Sequence, residues 1–162
     1  MLRKSRSIFF AGSLVLLAQF AFASGKDVPV PSTCTPDVNR GLQELIRSHT
    51  RRDVDNIMVC GIATQHSRVQ SGGRHGSHHI IPLSVNLPND GQVQVQVVIN
   101  DSLDGAVTAN ANDKVFAFGQ GYIAHGPWVA GVHDVHCSTH PGANNGWVVV
   151  NGTKTPNSCP SY

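Results

Sequence analysis

Residues 131–147, GVHDVHCSTHPGANNGW, carry three histidines and an aspartate within eight positions. The ring nitrogens of His133, His136 and His140 can accept protons or bind a metal, and Asp134 can orient a neighbouring imidazole. In a regular strand, side chains three residues apart point to opposite faces. We therefore expect His133 and His136 to point apart unless a bulge or the end of the strand separates them.

A second histidine group follows a glycine-rich turn and contains Arg74, His78 and His79. His79 is in phase with the apolar residues of the next predicted strand, so its side chain is expected to point inward near the end of that strand. For each histidine alone, a hydrogen bond at a rim or in a loop is the alternative. However, the two groups hold six of the nine histidines, and the rims of barrels are common ligand sites.

Two functions fit these residues. The first is a metal-assisted hydrolase, a phosphodiesterase or nuclease. Its predicted catalytic residues are His133, Asp134 and His136, and Arg74 would steady a phosphate. The second is a non-catalytic module that binds a metal or another ligand. A third interpretation is structural: the histidines hold loops by hydrogen bonds, and the surface binds a partner.

The hydrolase, and the module in its metal-binding form, would use a divalent metal, Zn or similar, because imidazoles with one carboxylate suit such ions. The predicted metal ligands are His79, His133, His136 and His140. A small molecule or a phosphodiester is the expected partner, and the predicted ligand-binding residues are Arg74, His78 and Trp147. Packing in the core is the alternative for Trp147.

The four cysteines are Cys34, Cys60, Cys137 and Cys159. An even number of cysteines in an exported domain indicates disulfides, and none of these is spaced C-x-x-C as a metal site would favour. Of the three possible pairings, we favour Cys34–Cys60, which joins an N-terminal helix to the first strand, and Cys137–Cys159, which ties down the C-terminal tail.

Residues 1–23 fit a secretory signal peptide, because three basic residues precede an apolar run that ends in Ala21-Phe22-Ala23. A membrane anchor is the alternative, but the run is shorter than the roughly 20 residues of a spanning helix. Cleavage removes three basic and no acidic residues, so the formal net charge falls from +2 to −1. We expect a secreted or periplasmic protein that binds neither membranes nor, through bulk charge, nucleic acids.

The remaining sequence predicts one helix followed by strands. The helix starts at Thr35-Pro36-Asp37 and ends near His49, with one apolar stripe along it. Residues 92–99 alternate between valine or isoleucine and glutamine, which is typical of a half-buried strand. The other expected strands are residues 56–70, 78–87, 114–124 and 132–138, with a hairpin at Asn151-Gly152 after residues 147–150.

Five strands, with a short irregular or helical connection between the third and the fourth, follow the order of an OB-fold barrel. The predicted fold is therefore mainly all-β: a five-stranded OB-like barrel with an N-terminal helix and a C-terminal hairpin. A plain β-sandwich is the alternative. The predicted organisation is a signal peptide (residues 1–23), a leader and helix (24–50) and an OB-like barrel domain (51–162).

The series of His79, DKVFAFG (residues 113–119), GVHDVH (131–136), HPG (140–142) and NGW (145–147) resembles small exported bacterial domain families of unknown function. One such family carries a His-x-x-His segment followed by His-Pro and Gly-Trp, and another carries Val-His-Asp-Ile-His after a Val-Phe-x-Phe strand. The resemblance covers residues 67–152 and implies an OB-like barrel. The resemblance singles out His79, His133, His136 and His140. The chain departs from the family pattern at Cys137, where the family has a further histidine.

Overall fold

The computed structural model describes residues 27–140 and 142–160, so the predicted signal peptide, residues 1–23, lies outside the described residues. Within the described ranges, no helix is long and apolar enough to cross a membrane. Helix α1 (Arg40–Ser48) extends a 3-10 turn, Pro36–Asn39, and α2 (Asp101–Asp104) is a single turn. The strands are β1 (Val54–Ala63), β2 (Arg68–Ser71), β3 (Ser77–Leu87), β4 (Gly91–Asn100), β5 (Lys114–Ile123), β6 (Ala130–His133), β7 (Trp147–Val150) and β8 (Thr153–Thr155).

Five of these strands close into a barrel in the order β1-β3-β4-β6-β5, because β5 also pairs with β1. The pairing of β4 with β6 is parallel, and the pairings of β1 with β3, β3 with β4, β5 with β6 and β1 with β5 are antiparallel. The short helix α2 connects β4 to β5, the third and fourth barrel strands. The predicted barrel, its N-terminal helix and its C-terminal hairpin are confirmed.

The core lies inside the barrel and beneath α1. Val95, Val97 and Ile99 on β4 are fully buried, while the alternating glutamines are only partly covered, as their spacing predicted. Helix α1 buries Leu42 and Leu45 against the barrel. A Cβ atom at Gly121 would lie only 2.7 Å from a methyl group of Leu45, so this glycine makes room for the helix.

Two of the predicted strands differ in their bounds. The segment predicted as one strand, residues 56–70, is two strands, because the chain leaves the sheet after β1 and Ser67 donates its backbone N–H to Ala109 O instead. The strand predicted at residues 132–138 is β6, which begins at Ala130 and ends at His133. It ends there because Asp134 has a φ of 52°, a left-handed conformation that breaks the alternation of a strand.

The structure pairs Cys34 with Cys60 and Cys137 with Cys159, which confirms the favoured pairing. The first disulfide is reinforced by Asn39, whose buried amide donates to Cys60 O and accepts from Cys60 N. Two disulfides are typical of proteins that fold in oxidising compartments. The hairpin of β7 and β8 turns at Asn151-Gly152 with both φ angles positive, as predicted for this dipeptide.

Candidate functional site

The residues HDVH, 133–136, form a turn at the end of β6, which we call the rim turn. Its geometry depends on Asp134, whose φ of 52° ends the regular strand at His133. Aspartate adopts this left-handed region more readily than most residues do, because its short polar side chain can bond locally. The turn therefore follows from a residue type that also carries a charge.

Two glycines from other parts of the chain press against the backbone of the rim turn. A Cβ atom on Gly119, in β5, would overlap the carbonyl oxygen of His133, and one on Gly146 would overlap the carbonyl oxygen of Asp134. Gly146 also donates its backbone N–H to His136 O at 2.8 Å. The turn is thus clamped between two positions that admit no side chain.

Both imidazoles of the rim turn approach the same carboxylate oxygen. Oδ1 of Asp134 lies 3.2 Å from His133 Nδ1 and 3.6 Å from His136 Nε2. The expectation that these two histidines point apart held only for a regular strand. β6 ends at His133, the exception allowed above, and the two rings approach one carboxylate from different clefts.

The hydrogen bond at the other nitrogen of His136 fixes which tautomer its neutral ring adopts. Nδ1 lies 2.9 Å from the carbonyl oxygen of Cys137, and a carbonyl can only accept, so Nδ1 carries a proton. Nε2 is therefore the nitrogen that can take up or release a proton. Its distance of 3.6 Å from Asp134 is that of an ion pair rather than of a hydrogen bond.

His133 has a different environment, because both of its ring nitrogens face carboxylates. Nδ1 lies 3.2 Å from Asp134 Oδ1, and Nε2 lies 3.2 Å from Asp53 Oδ2. Carboxylate oxygens only accept, so both contacts are hydrogen bonds when the ring carries both protons. His133 is therefore suited to holding the two carboxylates in place, whereas Nε2 of His136 remains available.

A cleft of about 590 Å³, the rim cleft, opens beside the turn. Its titratable side chains are Asp55, Asp134, His136 and His140, and among the described residues its lining contains no lysine or arginine. Gln120 donates to Asp55 at 2.6 Å and so fixes this second carboxylate. The remaining lining is Asn56, Phe118, Gly119, Ser138, Thr139, Gly142, Ala143, Asn144 and Gly146.

Two of the four histidines predicted to bind a metal reach this cleft. His136 and His140 line it, while His133 faces Asp53 and Asp134. No group of three or more His, Cys, Asp or Glu side chains in the described ranges is arranged to hold a metal ion. The four-histidine metal site stays a prediction. In the rim cleft, the two possible metal ligands that lie close together are Nε2 of His136 and Oδ1 of Asp134, which are 3.6 Å apart.

His79 points inward as predicted, but its partner is Asp101. Its Nδ1 lies 2.6 Å from Asp101 Oδ1, and Ser77 donates its hydroxyl to the other oxygen at 2.6 Å. Desolvation raises the pKa of Asp101, but the hydrogen bonds from Ser77 and His79 and the charges of His79 and His78 outweigh it, so the pKa lies below its ordinary value. His79 does not line the rim cleft.

The three predicted ligand-binding residues lie in different places. Arg74 is exposed in the 3-10 turn Gly73–His75 and does not line the rim cleft. His78 lines a second, smaller cleft described below. Trp147 is a core residue: it is 1% exposed, stacks on Phe118 and donates its indole N–H to Val28 O at 2.9 Å. Packing, the alternative interpretation, therefore holds for Trp147, and a ligand contact does not.

Four residues of this region were not predicted from the sequence to belong to the site: Asp53, Asp55, Gly119 and Gly146. Nothing in the local sequence distinguishes the two aspartates from a solvated connection, because they reach the rim turn only when the barrel closes. Gly119 did carry a signal, since a glycine inside a predicted strand often marks a close approach of another backbone.

The chain was also compared with known proteins. No protein-family model, curated protein or solved structure matches it. The resemblance to exported bacterial domains stays a prediction, and the function has to be argued from the geometry of the site.

Proposed function

We propose that the rim turn is the acid–base centre of an exported hydrolase. The observation that carries this proposal is the placement of His136. Its Nδ1 is held by Cys137 O, while the ring lines the rim cleft with Nε2 3.6 Å from the carboxylate of Asp134. An imidazole fixed in this way presents one nitrogen for proton transfer, which is what a general base requires.

In the proposed reaction, a water molecule in the rim cleft attacks the electrophilic atom of the substrate and gives its proton to Nε2 of His136. The imidazolium that forms is stabilised by the negative charge of Asp134. The bond to the leaving group then breaks, and His136 returns the proton to the leaving atom. His133 acts as a positioning residue, because it links Asp134 to Asp53.

The charge of the cleft restricts the substrate. Asp55 and Asp134 line the cleft, so a bare phosphodiester would be repelled. Hydrolysis of a phosphodiester or a nucleic acid therefore requires a divalent cation. Nε2 of His136 and the carboxylate of Asp134, 3.6 Å apart, would be two of its protein ligands, and water or the substrate would supply the others, because no three such side chains in the described ranges are arranged to hold an ion. A bound ion would neutralise the substrate charge and polarise the scissile bond.

The test is an assay of the disulfide-intact protein on bis(p-nitrophenyl) phosphate, DNA, RNA and p-nitrophenyl acetate, with EDTA or with Zn²⁺, Mn²⁺ or Mg²⁺. His136→Asn should lower the rate by roughly 10²- to 10⁴-fold, the usual contribution of a general base. His125→Asn is the matched control, because His125 is exposed in the loop between β5 and β6. Equal rates for the wild type and His136→Asn on every substrate would overturn the proposal.

The same lining favours a second candidate, a non-catalytic module that binds a divalent cation. Two carboxylates and an imidazole with no basic residue nearby attract such an ion whether or not chemistry follows. Calorimetric titration with Zn²⁺ should show saturable binding that Asp55→Asn weakens, together with a rise in melting temperature. Binding without turnover supports this candidate over the hydrolase, and the absence of both heat and stabilisation contradicts it.

A further inference from the structure

A second cleft of about 310 Å³, the tyrosine cleft, shares Asp134 with the rim cleft but is otherwise lined by different residues. Those residues are Asp53, His78, Val98, Asn100, Tyr122 and His133. Its volume is at the lower end of the range for small-molecule sites. Of the residues in the proposed hydrolase mechanism, the general base His136 does not line this cleft, whereas Asp134 and His133 do.

Neighbouring strands of the barrel place these side chains on its outer surface. Val98 on β4 alternates with Val97 and Ile99, which are fully buried in the core, so Val98 and Asn100 face outward. Tyr122 comes from β5 and His133 from β6, and the two strands are paired side by side. The cleft therefore has a rigid floor made by three strands.

The ring of Tyr122 is fixed in this floor. A Cβ atom on Gly131 would overlap the ring, so the glycine provides the space in which it lies. The hydroxyl oxygen accepts a hydrogen bond from Gln96 Nε2 at 2.7 Å, and the ring meets His133 edge-on, with 5.2 Å between centroids. Burial raises the pKa of the hydroxyl, the hydrogen bond from Gln96 lowers it, and the negative charge of Asp53 raises it further. The net pKa is raised, so Tyr122 stays neutral at physiological pH.

The charges around the cleft leave one negative charge without a counter-charge. Asp53 and Asp134 are each about half exposed, and His133 bridges them. With His78 neutral and His133 carrying both protons, two carboxylates and one imidazolium sum to one negative charge, which protonation of His78 would cancel. Within the described part of the chain, the lining contains no lysine or arginine that would cancel it.

We propose that the tyrosine cleft binds a small organic ammonium ion, a protonated amine or a quaternary ammonium. The carboxylates of Asp53 and Asp134 attract its charge, the ring of Tyr122 offers a cation–π contact, and Val98 covers its alkyl part. An anion would be repelled by the same carboxylates. A hydrated metal ion prefers a closed set of oxygen ligands and gains nothing from a valine and an aromatic ring.

The test compares two probes of nearly equal shape, choline and its uncharged analogue 3,3-dimethylbutan-1-ol, by calorimetry and by NMR shifts of Val98 and Tyr122. Choline should bind at least tenfold more tightly than the uncharged alcohol. Added salt should reduce this difference in affinity, because it screens the attraction between choline and the carboxylates. Equal affinities would overturn the proposal, because the cleft would then select only for shape. A lack of choline binding at millimolar concentration would also overturn it.

Variants at Asp53 and Tyr122 separate the contribution of the carboxylate charge to choline binding from that of the aromatic ring. Asp53→Asn removes an exposed carboxylate and should weaken choline binding severalfold without unfolding the protein, while the control Gln92→Ala, on β4 outside the cleft, should not. Tyr122→Leu should reduce the preference for choline severalfold, because the carboxylates still attract the charge, whereas Tyr122→Phe should keep most of it. His136→Asn should bind choline normally, so loss of hydrolysis and loss of choline binding are separate outcomes.

Discussion

Two histidine–aspartate arrangements lie on this barrel, and they differ in how fully the carboxylate is occupied. Asp101 is 15% exposed and accepts two hydrogen bonds of 2.6 Å, one from Ser77 and one from His79. Asp134 is 49% exposed, with its two imidazole partners at 3.2 and 3.6 Å. A carboxylate that is saturated by its neighbours stabilises the fold. An unsaturated one at a cleft can still respond to a ligand or to a proton.

The origin of the difference lies in the elements that supply the partners. Ser77 and His79 are on β3, and Asp101 directly follows β4, the strand paired with β3, so the sheet register brings the three side chains together. In the rim turn, one chain segment supplies His133, Asp134 and His136, and their distances depend on local backbone geometry. The register of a sheet fixes the distances between side chains more firmly than a turn does. The rim turn therefore depends on Gly119 and Gly146, which pack against its backbone, to hold its side chains in place.

The largest expected loss of stability comes from adding a Cβ atom at one of the two glycines that pack against the rim turn. Gly119→Ala should lower the free energy of unfolding by about 3 kcal/mol, because its Cβ would overlap a backbone oxygen that cannot rotate away. Gly41→Ala is the control: its Cβ would lie 3.6 Å from Ile57 in ordinary contact, and alanine favours helix α1. Urea unfolding measures both, and equal stabilities would show that the rim turn is not clamped.

The buried pair should be more costly to break than the rim pair. His79→Ala should lower the free energy of unfolding by about 2 kcal/mol, because it removes a short hydrogen bond from a mostly buried carboxylate. His133→Ala should cost about 1 kcal/mol or less, because its partners are half exposed. Thermal unfolding of the two variants tests the comparison directly, and the reverse order would contradict it.

Acid should destabilise the protein partly through the buried pair. The pKa of Asp101 is lower in the folded protein than in the unfolded chain. The stability it contributes is therefore present above the unfolded pKa of about 3.9 and is lost as the pH falls through the folded pKa. Asp101→Asn should give a shallower loss of stability than the wild type below about pH 4. Parallel pH profiles for the two proteins would argue against this role.

The smallest effect should come from the backbone of the rim turn. Asp134→Ala should cost about 1 kcal/mol more than Asp134→Asn, because asparagine tolerates the left-handed conformation that alanine resists. Both variants remove the charge, so the difference reports the backbone together with the hydrogen bond that the asparagine oxygen can still accept from His133. Equal melting temperatures would mean that the φ of residue 134 relaxes without cost.

Much of the fold could be predicted because its signals are local. The alternation along β4, the Asn-Gly hairpin and the Thr-Pro-Asp helix start each specify an element within a few residues. The disulfide pairing followed from the order of those elements. The inward direction of His79 followed from its phase with Ile81, which is fully buried.

The site could be predicted only in part, because its decisive contacts are not local. The chemical character of His136 and Asp134 was visible in the sequence, but a left-handed aspartate was not, since the surrounding residues fit a regular strand. Gly119 and Gly146, from other parts of the chain, pack on the turn that contains it. Asp53 reaches His133 from 80 positions earlier in the sequence, a contact that no spacing rule indicates.

The parallel pairing of β4 with β6 has a consequence for the time at which the site forms. β6 completes the ring of strands, it is the last barrel strand in the chain, and the rim turn begins where it ends. Pairings between distant segments form slowly during folding because of the loops they must close. A chain that has not yet closed its barrel has no rim turn, so the proton transfer proposed for His136 would have to await closure of the barrel.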